Sequence, residues 1–81
     1  MSIESTTGVL PMHELLRQLR HERNESQDAV GRAVGVTGGF IGQLERGEKL
    51  PSLPNAIRLA RYFGVPVETF AAGVELEQVQ A

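Results

Sequence analysis

Side chains that commonly do covalent or metal chemistry are thinly spread in this sequence. His13 and His21 have no ligand-spaced partner, and there is no cysteine. No zinc or thiolate site follows from that set. No nucleophile–base pair and no phosphate-cradling glycine loop is present. An enzyme is therefore rejected, and neither cofactor nor metal is expected. What remains is recognition by charge and hydrogen bonding. All eight basic residues lie between Arg17 and Arg61. Eight bases face six acids between Met12 and Phe63, a surplus of two, whereas Glu4, Glu68, Glu75 and Glu77 lie in the flanks. The overall net charge of −2 argues weakly against nucleic acid. A basic middle with acidic ends instead fits one basic and one acidic face, although an ordinary solvated surface has the same composition.

The elements that must position such groups are small. A chain of 81 residues makes one domain near the lower limit for a self-sufficient core. Without cysteines, a signal-peptide pattern or a membrane-length apolar run, a soluble protein of the reducing cytoplasm is expected. Residues 1–11 read as a poorly ordered polar arm. Helix 1 is expected from Met12 to Arg23, with Met12, Leu15, Leu16 and Leu19 at helical spacing. Ser26 caps helix 2, Gln27 to Val34, whose apolar face is Ala29, Val30, Ala33 and Val34. Gly35 ends it, and Thr37 caps helix 3, Gly38 to Arg46. Ser52 caps helix 4, with Leu53, Ile57, Ala60 and Phe63 inward and Gly64 at its end. Pro66 opens a short helix 5 carrying Val67 and Phe70. Residues 12–73 form the domain and 74–81 a tail in which VELEQV is the one strand-like run.

Helices 2 and 3, joined by a short glycine-containing turn, are the signature of a helix-turn-helix. Val30, Gly31, Val34, Gly35, Val36, Ile41 and Leu44 fall where two short helices crossing closely need apolar, small or turn-forming residues. On such a second helix the amide of Gln43 suits bidentate recognition of adenine. Arg46 suits phosphate, although neutralising Glu45 and Glu48 would also occupy it.

The segments LRQLRHER, SQDAVGRAVGV, FIGQLERGEKLPS and AIRLARYFGVPVETF resemble the phage-repressor-like (Cro/C1, XRE-type) DNA-binding domains from about Met12 to Phe70. The resemblance implies an all-α, compact five-helix fold whose recognition helix, about 38–46, enters the major groove of double-stranded DNA. It implies that Gln27 touches the phosphate backbone and buttresses a base contact. It implies that Thr37, Gly38, Gly39 and Gln43 face the groove, and that Arg46 and Lys49 meet phosphate. Arg20 and Glu45 match a semi-buried ion pair tying helix 1 to helix 3. Phe40 either packs at the core edge or lies on a thymine methyl or sugar. The family usually has side chains where this sequence has Gly38 and Gly39, so two direct readers are missing.

Each helix-interior glycine costs roughly 1 kcal/mol relative to alanine, yet Gly38, Gly39 and Gly42 crowd the start of helix 3. Either bare backbone N–H groups there approach phosphate closely, or the loop before helix 3 is longer. Gly42 shows no such need and is expected to gain stability as alanine. The function implied is a sequence-specific transcriptional regulator, cytoplasmic and nucleoid-associated, binding a (pseudo)palindromic operator as a homodimer. Helix 5 and the tail are the expected dimer contact, because Val65, Val67, Phe70, Val74, Leu76 and Val79 exceed what a terminal helix buries. The alternative is a protein-interaction module on the same fold, an antitoxin or partner-binding regulator, with weak or no DNA readout.

Overall fold

The computed structural model describes residues 11–71. They form α1 (Met12–Glu22), α2 (Gln27–Val34), α3 (Gly38–Glu45) and α4 (Leu53–Phe63). A further helix, α5, is described over 68–71, where Phe70 N and Ala71 N both donate to the Val67 carbonyl. No strand occurs among the described residues. The arm up to residue 10, and the tail with its VELEQV run, lie outside them.

Short polar side chains start the helices where the sequence places them. Ser26 Oγ accepts from Ala29 N at 3.0 Å, Thr37 Oγ1 from Phe40 N at 3.0 Å, and Ser52 Oγ from Asn55 N at 3.3 Å. Each satisfies a backbone donor that a helix start leaves without an intrahelical partner. α1 lacks such a side chain. Pro11, expected in the arm, is its N-cap, and its carbonyl accepts from Glu14 N and Leu15 N. α1 stops at Glu22, one residue before the expected end, because Asn24 turns the chain through the left-handed region at φ 56°, a conformation asparagine tolerates. α3 likewise ends at Glu45, with Arg46 as its C-cap.

The core joins Leu16 of α1, Val30 and Val34 of α2, Ile41 and Leu44 of α3, and Ala56, Leu59, Ala60 and Phe63 of α4. Leu15 is half-buried, and Met12 and Leu19 pack on the margin. On α4, the expected Ala60 and Phe63 are buried and Leu53 packs against the core. Leu59 and the small Ala56 point inward, and Ile57 sits at the edge. In α2, Ala33 is exposed and Ala29 half-buried, so Val30, Gly31 and Val34 alone bury its contact face. Phe70 is 2% exposed and belongs to this same core. It is not spare surface for a second copy, which corrects the expectation that helix 5 holds a surplus. Val65 and Val67 are half-buried against the core.

The α2–α3 crossing sets the shape of the domain. Gly35 ends α2 at φ 85°, which an L side chain rarely adopts. The chain then folds back so tightly that Val36 N donates to Gly31 O at 2.8 Å. A methyl on Gly31 would stand 2.8 Å from the Val36 oxygen and the Thr37 carbonyl carbon, and 2.9 Å from Gly38 N. All three are backbone atoms that cannot swing aside. Gly31→Ala is expected to destabilise the domain by roughly 1–3 kcal/mol through overpacking. A thermal melt of the variant against the parent checks this; an unchanged midpoint would show that the crossing has slack.

Candidate nucleic-acid interface

Where the start of α2 meets the end of α3 lies a buried polar network. Glu45, 2% exposed, takes a two-pronged contact from Arg20: Nε to Oε2 at 2.6 Å and Nη2 to Oε1 at 2.9 Å. Arg20 Nη1 also donates to the Glu25 carbonyl at 2.9 Å, and Gln27 Nε2 donates to Glu45 Oε1 at 3.2 Å. One carboxylate thus joins α1, the α1–α2 turn and the first residue of α2 to the end of α3. Burial pushes the Glu45 carboxyl up. The hydrogen bonds from Arg20 and Gln27, with the nearby charges of Arg20 and Arg17, more than reverse this and hold it below the ordinary glutamate value. The same pairing holds the Arg20 guanidinium above its usual value.

This network positions Gln27. Its amide is half-buried, and it lies across the backbone of Gly42, where an added methyl would meet its Oε1 at 3.3 Å and Nε2 at 3.4 Å. Arg46 Nη1 approaches the same spot at 3.1 Å. Gly42 therefore has a packing role that its sequence position did not reveal. Any gain in helix propensity from alanine is set against displacing an amide already tied to Glu45.

α3 carries adjoining rows of residues, as its 3.6-residue period requires. Gly38, Gly42 and Glu45 face α2 and α1. Gly39, Gln43 and Arg46 lie on the outer side. The helix begins at Gly38 with Thr37 as its cap, so the longer-loop explanation of the glycines does not apply. Gly38 and Gly39 differ sharply in surroundings. A methyl on Gly38 would fall 1.9 Å from Asp28 Oδ1 and 3.0 Å from Asp28 Cα, so that space is taken. At Gly39 only Thr37 Oγ1 comes within 4 Å, at 3.9 Å, so close approach from outside is open there.

The remaining groups are distributed as follows. Thr37 is exposed and spends its oxygen on the Phe40 cap bond. Phe40 is half-buried and packs against the edge of the core, with part of its ring exposed. Gln43 is half-buried rather than fully exposed, and its amide bonds to no other described side chain. Arg46 is paired with Glu48, Nε to Oε2 at 2.8 Å, with both side chains more than half exposed. Lys49 is exposed in the turn that follows. A second polar link, with no clear sequence signal, fastens the α1–α2 turn to α4. The Arg23 guanidinium lies 4.8 Å from the Tyr62 ring centroid and 5.1 Å from that of Phe63, and Tyr62 OH donates to Glu25 Oε2. Only long-range folding brings those residues together.

No group of three or more histidine, aspartate or glutamate side chains able to hold a metal occurs among the described residues. No described helix is long and apolar enough to cross a membrane. A sequence model of the helix-turn-helix domain matches residues 14–79. The HTH-type transcriptional regulator SutR of Escherichia coli (strain K12) is 36% identical over 55 residues, which cover 68% of this chain and 31% of SutR. The cryptic phage CTXphi transcriptional repressor RstR of Vibrio cholerae is 32% identical over 60 residues, covering 74% of this chain and 54% of RstR. The chain thus spans just under a third of SutR and about half of RstR. The P22 c2 repressor, solved in complex with a synthetic operator, superposes with a TM-score of 0.73 at 29% identity, over 76% of this chain and 94% of that one.

The buried carboxylate makes stability depend on acid. Because the folded-state pKa of Glu45 is depressed, its contribution is complete above the unfolded glutamate value of about 4.3. It is lost as pH falls through the lower folded value. Urea midpoints measured from pH 7 down to 3 are expected to fall below about pH 4, and less steeply in Glu45→Gln. Glu45→Ala, which strands Arg20, is expected to cost about 3 kcal/mol at neutral pH. Equal acid slopes in parent and Glu45→Gln would remove Glu45 as a source of the effect.

Proposed function

The chain belongs to the helix-turn-helix domain family, and we propose that it is a sequence-specific, double-stranded DNA-binding transcriptional regulator that lays α3 in the major groove. The observation that supports this most is the match of 76% of the chain to a repressor solved on operator DNA, together with an outer side of α3 on which Gln43 bonds to no other described side chain and Arg46 is held only by an exposed ion pair. In this reading Gln43 reads a base edge and Thr37 borders it. The open backbone at Gly39 permits close approach. Gln27, held by Glu45 and lying over Gly42, meets the phosphate backbone. Arg46 leaves Glu48 for a phosphate, an exchange made easy because an exposed ion pair is weak. Lys49 adds a second phosphate contact. Phe40 serves the site by holding the start of α3 on the core.

A domain with so few base readers does not stand out among the roughly 10⁶–10⁹ competing sites of a genome. Two copies related by a twofold, on half-sites about one helical turn apart, multiply the discrimination. The surface of α3 is committed to DNA, so the dimer contact falls elsewhere. Since Phe70 is used internally, the contact is assigned to Val65, Val67 and the tail residues Val74, Leu76 and Val79, with the dimer completed on DNA.

Fluorescence anisotropy with genomic fragments at several salt concentrations tests the reading. Log affinity is expected to fall linearly with log salt as phosphate contacts release counterions. Gln43→Ala is expected to lose roughly 1–3 kcal/mol of specific binding and to relax sequence preference at one position. A parent that binds no DNA above background at low salt would leave the protein-interaction module as the reading.

The assembly is checked separately by sedimentation equilibrium, with and without operator, on the full chain and on a chain ending at Gly73. Two copies per operator for the full chain, and weaker association for the shorter one, are expected. A protein that stays monomeric and occupies DNA as a single copy would sink the dimer.

A further inference from the structure

We infer that Asp28, in the first turn of α2, is a specificity-determining residue that reads a base edge in place of the side chain missing at Gly38. The inference rests on the DNA-binding reading above and adds a reader from a different helix. The geometry carries it. The space that the first side-chain atom of residue 38 would occupy is filled by the Asp28 carboxylate, with Oδ1 1.9 Å and Cγ 2.9 Å from that point. Asp28 Cα is itself only 3.0 Å away. The bare backbone of Gly38 therefore lets the first turn of α2 press directly onto the start of α3. A polar group from α2 emerges where a group from α3 would otherwise begin.

Asp28 is exposed, and its carboxylate makes no hydrogen bond or ion pair with any other described residue. It is an uncommitted acceptor beside Gln27, which the buried network holds in place. A carboxylate at this end of α3 repels phosphate, so the backbone N–H groups around Gly38 are a poor seat for the DNA backbone. Base edges are different, because the major groove offers amino donors. A carboxylate accepts from the N4 amino group of cytosine, whereas an amide in the same place pairs with the N6 and N7 positions of adenine. The acceptor-only chemistry of Asp28 thus selects a cytosine in each half-site.

Selection of bound sequences from a randomised double-stranded oligonucleotide pool, using the full chain, tests this. Parent, Asp28→Asn and Asp28→Ala are compared, with thermal melts to show that all three fold. The parent is expected to enrich cytosine at one position per half-site. Asp28→Asn should move that position toward adenine, and Asp28→Ala should flatten it with a loss of discrimination on the order of tenfold, leaving the other positions unchanged. Identical profiles from all three proteins overturn the proposal. So does a uniform rise in affinity for every sequence in the two variants, which is the signature of a carboxylate that merely repels phosphate. A parent that enriches no sequence fails at the DNA-binding reading itself, an outcome distinct from either.

Discussion

The ion pair between Arg20 and Glu45 is the contact on which the rest of the domain depends. A carboxylate nearly excluded from water is tolerable only if its oxygens are fully engaged. Arg20 supplies two donors and Gln27 a third. Because those donors come from α1 and from the first residue of α2, satisfying one buried charge dictates where three helices stand relative to one another. An apolar contact of similar area is non-directional and would allow them to slide. The fork of a guanidinium on a carboxylate fixes both distance and angle. The side chain that most directly inherits this order is Gln27, whose amide is already oriented before any partner arrives.

The glycines of α3 follow from the same crowding. An eight-residue helix is too short to be stable alone, so its stability must come from packing. Glycine at 38 and 42 lowers propensity but brings the first turn of α2 into direct contact with the α3 backbone, with Asp28 over one and Gln27 over the other. Gly39 alone faces open space. Three residues of one type in one short helix thus have unlike causes, two in packing and one in the access it leaves from outside.

The charge pattern acquires meaning from the fold as well. A net charge of −2 suggests little affinity for nucleic acid. Yet Glu45 is buried and neutralised by Arg20, and Glu48 is held by Arg46 at the exposed end of α3. Of these acids, one does not act at the surface at all, and another is held in a pair that solvent weakens. The count for the whole chain therefore does not describe the turn after α3, where Arg46 and Lys49 stand against the one exposed acid, Glu48.

The sequence by itself determined the helix count, the caps and the turn. Ser26, Thr37, Ser52 and Gly35 act through contacts within a few residues, and local chemistry of that kind is written in local order. The apolar stripes of α1 and α3 were legible for the same reason, as was the α2–turn–α3 spacing from which the family resemblance began. Only the tertiary structure decided that Ala56 and Leu59 complete the inward face of α4, that Phe70 belongs to the core, and that Gly42 lies under Gln27. It also decided that Asp28 occupies the space beside Gly38, and that Arg23 rests on Tyr62 and Phe63. Each depends on residues distant in the chain or on a rotation of a helix about its axis. Neither is encoded in spacing, because a helical period specifies which residues share a face but not which neighbour that face will meet.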